Sequence, residues 1–360
     1  MEKKIDAWGS DSITDYEHVF KEFGLKKFSK IQASELKHRF FEREIIIAHR
    51  DFEKIFSRIK SKKPFINMTG IASSGPYHLG HKVDIDLFKF FKDCGAKNLF
   101  AVCDLDAYCS RPKINELKTA KKIAAENIAD ALALGLESED IYVQSRKPAS
   151  YYSLAFEISK KITSSTNKAI YGEIDLGKIS ANLLQYSDIL HGQLPEFFGK
   201  MPSITGIGLD QDPHARAVRD VVKRLPYGME DPSFVYFKHQ SGLMKDSKMS
   251  SSNPDTAIFL NDSPKEIERK IKKAFTGGRN TLEEHRKLGG VLAVDKVFEL
   301  LVFHYPNSKE LSKTAEEFSS GRMLSKEMKD LAIEFFQGML KEHQRKTKEF
   351  LPKAKKIVFG

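Results

Sequence analysis

A His-Leu-Gly-His tetrapeptide at residues 78–81 carries two imidazoles that suit phosphate binding. His78 and His81 are three residues apart, so both rings face the same side of a helix. A loop rich in Gly, Ser and Pro precedes them and places them at a helix N-terminus, where free N–H groups and the helix dipole attract anions. Gly80 leaves no side chain where a purine ring would lie against the backbone. Alone, the pattern is equally compatible with chance or with half a metal site, but its position after a strand and loop favours phosphate binding.

A second segment, Lys-Met-Ser-Ser-Ser at residues 248–252, supplies a cation and several hydroxyl groups. We expect Lys248 to stabilise charge on a transferring phosphate. Ser250 and Ser252, on alternate positions, are expected to bond the triphosphate. Alone, such a segment is also typical of an ordinary solvated loop. Its order and separation from the first segment favour a joint role as an ATP clamp.

The reaction that suits this pair is the activation of a carboxylate by ATP. A carboxylate is already ionised at neutral pH, so it attacks the α-phosphorus without a general base, and pyrophosphate leaves. The protein then has to supply in-line positioning and preorganised donors for the phosphate charge.

Strand and helix signals alternate around the first segment and predict an α/β fold with a Rossmann-type parallel sheet. In such a sheet ligands bind outside the carboxyl ends of the strands. Gly70 and residues 208–211 fall at such ends. The predicted strands are residues 64–68, 98–103, 141–144 and 203–208, and the predicted helices are residues 78–93, 114–133 and 213–223.

The chain has 360 residues and a formal net charge of +10. That charge suits a polyanionic partner such as RNA, or it only keeps the protein soluble; composition leaves both open. No apolar run is long enough to span a membrane and no secretory signal is evident, so we expect a cytoplasmic protein. The three cysteines lack metal-site spacing and are expected to be reduced.

The pattern changes along the chain and predicts four regions. Residues 1–60 form an N-terminal extension that packs on the catalytic domain, with residues 37–60 predicted as charged helix broken by short apolar runs. Residues 61–262 form the catalytic domain, and residues 263–346, which lack strand signals, form an all-helical domain. Residues 347–360 form a tail expected to return to the catalytic domain.

The two phosphate-binding segments match the HIGH and KMSKS signatures of class I aminoacyl-tRNA synthetases. Over nearly its whole length the chain resembles the archaeal and eukaryotic tryptophanyl-tRNA synthetases. The similar segments are Trp-Gly-Ser at 8–10, Asp-Tyr at 15–16, Ala-Ile-Tyr-Gly at 169–172, Asp-Ile-Leu-His at 188–191, Asp-Gln-Asp-Pro-His at 210–214, Ala-Phe-Thr-Gly-Gly-Arg at 274–279, Glu-Glu-His-Arg at 283–286 and Leu-Gly-Gly at 288–290.

The resemblance implies a class I Rossmann catalytic domain, a helical anticodon-binding domain and a homodimer. It implies the conversion of L-tryptophan, ATP and tRNA(Trp) to tryptophanyl-tRNA, with Mg²⁺ accompanying ATP. It assigns catalytic roles to His78, His81 and Lys248. The positions it implies for ATP binding are Gly70, His78, Gly80, His81, Gly208, Asp210 on the ribose side, Gln211, Lys248, Met249, Ser250 and Ser252.

Recognition of an indole requires one acceptor for its ring N–H among apolar walls. Gln185 matches the family glutamine of this pocket, and the alternative is a buried structural glutamine. Asp106 is a candidate partner for the substrate ammonium, and a helix-capping or turn aspartate is an equal alternative. Ile66 and Met68 stand where eukaryotic members carry aromatic residues, so no tyrosine hydroxyl reaches the indole from that strand.

Three other functions remain open from the sequence. A tyrosyl-tRNA synthetase shares the fold, and residues 104–108 resemble a segment of archaeal tyrosyl enzymes, although residues 210–214 and 275–278 favour tryptophan. A second alternative is a paralogue that binds RNA without charging it. A small-molecule nucleotidyltransferase is a weaker alternative, because it needs neither the helical domain nor the second segment.

Overall fold

The computed structural model describes residues 20, 23–245, 249 and 253–360. The predictions made for Lys248, Ser250 and Ser252, and those for the motifs at residues 8–10 and 15–16, lie outside these residues.

A six-stranded sheet forms the centre of the protein, with strand order β1-β6-β5-β2-β3-β4. Neighbouring strands from β6 to β4 are parallel, whereas β1 at the edge is antiparallel to β6. The predicted α/β fold is confirmed, with this one antiparallel strand added. The strands are β1 (Ile46–Arg50), β2 (Ile66–Ala72), β3 (Lys97–Cys103), β4 (Ile141–Val143), β5 (Ser203–Gly208) and β6 (Ser233–Phe237).

Helices cover both faces of the sheet and make up the C-terminal part of the chain. Around the sheet lie α1 (Lys30–Leu36), α2 (Arg39–Glu42), α3 (Phe52–Lys60), α4 (Leu79–Asp93), α5 (Asp104–Ser110), α6 (Leu117–Ala133), α7 (Ala149–Ser159), α8 (Ser164–Tyr171), α9 (Leu176–His191) and α10 (Asp212–Val222). The C-terminal helices are α11 (Pro264–Lys273), α12 (Leu282–Leu288), α13 (Lys296–His304), α14 (Ser308–Ser319) and α15 (Ser325–Phe359).

Two strands differ from the sequence-based prediction. The stretch predicted as broken helix contains β1, whose apolar run pairs with β6 at the edge of the sheet. Strand β6 was not predicted at all. All five of its residues are buried, and a strand buried on both faces shows no alternation that would distinguish it from other apolar runs.

The strand order creates a crevice between β2 and β5. From β2 the chain continues to β3 and β4 on one side, and later to β5 and β6 on the other. In parallel α/β sheets ligands bind where the strand order reverses in this way. Strand β2 contains Gly70, and β5 ends at Gly208, so two of the three predicted ATP-binding glycines lie at this point.

The C-terminal helices share one hydrophobic core with the sheet. Buried Phe100 and Ile128 of the sheet region belong to the same cluster as Phe318 and Phe336 of α14 and α15. Helix α15 passes residue 346 without a break. It packs along α6, where His343 Nε2 lies 3.0 Å from Asp130 Oδ1. The helical part is therefore fixed to the catalytic part by a continuous apolar core.

Within the described part of the chain, no helix combines the length and apolar character that crossing a bilayer requires. The three cysteines are free thiols: Cys103 is buried, and Cys94 and Cys109 are half-buried.

The shared core predicts a stability difference between two phenylalanines of one helix. Phe336 is fully buried, whereas Phe359 is 54% exposed. Phe336→Ala should lower the free energy of unfolding by about 3–5 kcal/mol, because it leaves a cavity in the core. Phe359→Ala is the matched control and should change it by less than about 0.5 kcal/mol. Urea unfolding measures both, and equal changes would contradict the shared core.

Candidate active site

A cavity of about 530 Å³ opens at the crevice between β2 and β5. Helix α4 and helix α9 close two of its sides. Every predicted site residue that the structure describes lines this one cavity. These residues are Gly70, His78, Gly80, His81, Asp106, Gln185, Gly208, Asp210, Gln211 and Met249.

The two imidazoles stack at the start of α4. His78 occupies the N-cap, and its backbone N–H donates to His81 Nδ1 at 3.2 Å. The ring centroids are 3.8 Å apart with an angle of 20° between planes. Nδ1 of His78 is buried and has no hydrogen-bond partner among the described residues. The pair therefore offers a ring nitrogen for a ligand rather than for the protein.

Burial keeps both imidazoles neutral at pH 7. It lowers the pKa of His78 to about 4. The pKa of His81 lies well below its usual value because of burial first, and then because of its electrostatic interactions with His78 and with the Arg111 guanidinium. Neutral imidazoles in a poorly hydrated site can bind an anion through N–H donors, where such bonds are strong, rather than through full charges.

Backbone pairing brings the two distant segments together. The N–H of Leu79 donates to Ile258 O at 2.9 Å, and the N–H of Leu260 donates to Tyr77 O at 2.8 Å. The loop that contains the Lys-Met-Ser-Ser-Ser segment is closed at its base by Leu243 N–H and Thr256 O, 3.0 Å apart. The loop thus begins and ends beside the first segment.

Met249 confirms that the loop reaches the cavity. It lines the wall, and a Cβ added to Gly80 would lie 3.9 Å from Met249 Sδ. Lys248 is its immediate neighbour in sequence and falls outside the described residues.

Asp210 follows β5 and lies on the same wall as the glycines. Its Oδ1 is 2.5 Å from Nε2 of His239, and its Oδ2 accepts from Gln211 Nε2 at 3.3 Å. Burial and the negative charge of Asp210 raise the pKa of nearby Asp84 well above its usual value. His239 was missed by the sequence analysis because it lies just beyond β6, the strand that was not predicted.

A buried carboxylate, Asp188 of α9, was also missed as a site residue. Its Oδ1 accepts from the hydroxyls of Tyr142 and Tyr151, each at 2.7 Å, and its Oδ2 accepts from Gln144 Nε2 at 2.7 Å. Burial raises the pKa of Asp188 to about 7, although these three hydrogen bonds oppose the rise. In sequence the only signal was its place in the Asp-Ile-Leu-His segment, which shows nothing of the donors around it.

Gln185 lies one helical turn before Asp188 on the same face of α9, and both line the cavity. Its side chain makes no hydrogen bond to the residues that the structure describes. It is half-buried rather than locked into the core. The described residues therefore give no support to the alternative that Gln185 is a structural glutamine.

Asp106 lies in the first turn of α5 and faces the cavity. Its carboxylate accepts from Ser110 Oγ at 2.9 Å, and burial raises its pKa. The turn-stabilising role considered for Asp106 belongs instead to Asp104, whose Oδ1 accepts from the N–H groups of Leu105 and Ser145 at 3.0 Å each. The Asp106 side chain is thus available on the cavity wall.

The chain is similar over its full length to archaeal proteins of one kind. It is 38% identical to the tryptophan--tRNA ligase of Methanocaldococcus jannaschii, over 99% of this chain and 98% of that one. The crystal structure of tryptophanyl-tRNA synthetase from Aeropyrum pernix matches with a TM-score of 0.88 and 36% identity, covering 98% of both chains. The Encephalitozoon cuniculi enzyme, solved bound to tryptophan, matches with a TM-score of 0.84 and 26% identity, covering 97% of this chain and 98% of that one.

A family model described as tRNA synthetases class I (W and Y) matches residues 60–341. This range includes the sheet, the cavity and most of the helical part. The stacked imidazoles, the loop carrying Met249 and the strand-end glycines all lie within it. The chain belongs to the class I tRNA synthetases of the tryptophan and tyrosine family.

Proposed function

We propose that this protein activates L-tryptophan with ATP to tryptophanyl-adenylate and transfers the tryptophan to tRNA(Trp), releasing AMP and pyrophosphate. The observation that carries the proposal is the convergence of the stacked imidazoles, Met249 of the second segment and the α9 acceptors on one cavity. Full-length relatives named tryptophan--tRNA ligase support tryptophan over tyrosine as the substrate.

ATP binds along the β2–β5 side of the cavity in this proposal. The neutral imidazoles of His78 and His81 donate to phosphate oxygens, and Gly80 leaves room for the adenine. Asp210, with Gln211 beside it, accepts from the ribose. The loop then adds Lys248, Ser250 and Ser252 to the triphosphate, which supplies fixed donors where negative charge develops.

Mg²⁺ enters with ATP rather than at a site built by the protein. Among the described residues no three His, Cys, Asp or Glu side chains form a cluster suited to a metal. This fits Mg²⁺, which commonly takes substrate phosphates and water as most of its ligands. Its chemical contribution is to neutralise charge on the triphosphate.

Tryptophan binds on the α9 side of the cavity. The Gln185 amide oxygen accepts the indole N–H, and the Asp106 carboxylate binds the α-ammonium. Asp188 is a second acceptor on the same helix face, but three protein donors already bind it, whereas no donor among the described residues binds Gln185. Met68, Cys103 and Ile189 supply apolar wall around the indole.

The helical part, residues 263–346, receives the anticodon loop of the tRNA, and the net charge of +10 favours binding of this polyanion.

The protein works as a homodimer in the cytoplasm. Two large apolar side chains on helices that pack together, Phe156 of α7 and Leu176 of α9, are 76% and 81% exposed. Covering this exposed apolar surface in a dimer removes it from water.

Amino-acid-dependent exchange between ATP and pyrophosphate tests the activation step. Tryptophan should stimulate exchange, and tyrosine should not. Lys248→Ala should lower the rate about 100-fold, since it removes a cation that acts on the transition state. Lys245→Ala, in the same loop, is the matched control and should stay within about twofold. Stimulation by tyrosine alone, or full activity of Lys248→Ala, would overturn the proposal, and failure to charge tRNA(Trp) would favour a non-charging paralogue.

Benzothienylalanine, a tryptophan analogue that carries sulfur in place of the ring N–H, tests which side chain accepts the indole hydrogen bond. Gln185→Leu should raise KM for tryptophan about tenfold, the value of one hydrogen bond, and leave KM for ATP unchanged. It should also abolish the preference for tryptophan over benzothienylalanine in kcat/KM. If Asp188→Asn abolishes this preference and Gln185→Leu does not, the acceptor is Asp188.

The buried imidazole of His78 predicts loss of stability in acid. The unfolded chain binds a proton there near pH 6.5, but the folded chain binds it only near pH 4. The contribution of neutral His78 to the free energy of unfolding is therefore complete above pH 6.5 and is lost as the pH falls towards 4. Between pH 7 and pH 4.5 the free energy of unfolding should fall about 2 kcal/mol less in His78→Asn than in the unaltered protein. Urea unfolding at both pH values measures this, and identical losses would contradict the assignment.

A further inference from the structure

His239 makes a close contact with Asp210 and has no role in the proposed reaction as described above. Its Nε2 lies 2.5 Å from Asp210 Oδ1, and both side chains line the cavity. A carboxylate in contact with a ring N–H accepts a charge-assisted hydrogen bond, which is stronger than a bond between neutral groups.

The pairing of β5 with β6 creates this contact. Gly208 lies opposite Phe237 in the parallel register, so Asp210 and His239 each follow two residues beyond a paired position. A Cβ at position 208 would lie 2.4 Å from His239 Cε1 and 2.6 Å from Asp210 Oδ1. Only glycine at this position leaves room for the two side chains to meet.

The backbone that carries His239 is fixed by the helical part. The next residue, Gln240, is buried, and its Oε1 lies 3.1 Å from Nε2 of His304 on α13. Ser241 N–H donates to Glu299 Oε1 on the same helix at 2.9 Å. With β6 on one side and α13 on the other, the imidazole is held in place before any ligand binds.

Asp210 needs such support because it faces another acid. Asp84 of α4 lies near enough for the negative charge of Asp210 to raise its pKa. Gln211 Nε2 donates to Asp210 Oδ2 at 3.3 Å, which is a long bond, whereas the contact from His239 is short. Without His239 the carboxylate would lose this short contact and gain freedom to turn away from a ligand.

We propose that His239 is a positioning residue for ATP: its Nε2–H fixes the Asp210 carboxylate so that Asp210 accepts hydrogen bonds from the ribose hydroxyls. Both oxygens of a carboxylate accept more than one bond, so Asp210 binds His239 and the ribose together. This inference rests on the proposed function, because it takes Asp210 as the ribose ligand. His239 itself does not touch the reacting atoms.

The test measures how strongly the enzyme distinguishes ATP from 2′-deoxy-ATP and 3′-deoxy-ATP in tryptophan-dependent pyrophosphate exchange. His239→Leu removes the donor. It should raise KM for ATP about tenfold and lower the preference for ATP over at least one deoxy analogue about tenfold, with KM for tryptophan unchanged. His239→Gln is the matched control, since its amide nitrogen can replace Nε2 as donor, and it should restore the preference to within about threefold of the unaltered protein.

A purely structural role for His239 would lower activity with all three nucleotides alike and leave the preference unchanged, which would overturn the inference. If His239→Leu does not fold, as judged by circular dichroism, His239→Asn serves in its place, because its amide is too short to reach Asp210, and the same preference is measured. Absence of tryptophan-dependent exchange in the unaltered protein would instead refute the proposed function. The two failures are therefore distinguishable.

Discussion

The active site depends on a short backbone pairing between two parts of the chain that are far apart in sequence. Tyr77 and Leu79 exchange hydrogen bonds with Leu260 and Ile258, and all four side chains are buried in the core. This pairing fixes the start of α4, where the imidazoles stack. It also fixes the far end of the loop that carries Lys248. A phosphate clamp made from two segments needs such a connection, because neither segment alone surrounds a triphosphate.

Desolvation determines how the groups of this site act. Burial makes His78 and His81 neutral donors and raises the pKa of Asp84, Asp106 and Asp188. Fixed dipoles in a poorly hydrated cavity stabilise developing phosphate charge without reorganising during the reaction. In the proposed reaction these fixed neutral donors act together with a cation from the loop, Lys248.

The helical part, proposed to receive the anticodon loop, also supports the cavity. Its core is continuous with that of the sheet, and α13 holds the backbone on which His239 is carried. Through Gln240, a residue of the cavity wall contacts a buried histidine of the helical part. A displacement of α13 would therefore move Gln240 and its neighbour His239, and with them the contact to Asp210. The same contacts explain why the base of the phosphate loop, near Leu243, has a fixed position.

The sequence by itself determined the α/β fold, four of the six strands and some of the residues that line the cavity, including Gly70, His78, Gly208 and Gln185. These were accessible because helical spacing, strand ends and short motifs are local properties of a chain. Only the tertiary structure decided that β1 and β6 join the sheet, since a short or fully buried strand has no periodicity of its own. It likewise decided the roles open to His239 and Asp188. Their chemistry comes from neighbours contributed by other strands and helices, and no local pattern of residues encodes which donors and charges burial will bring to a side chain.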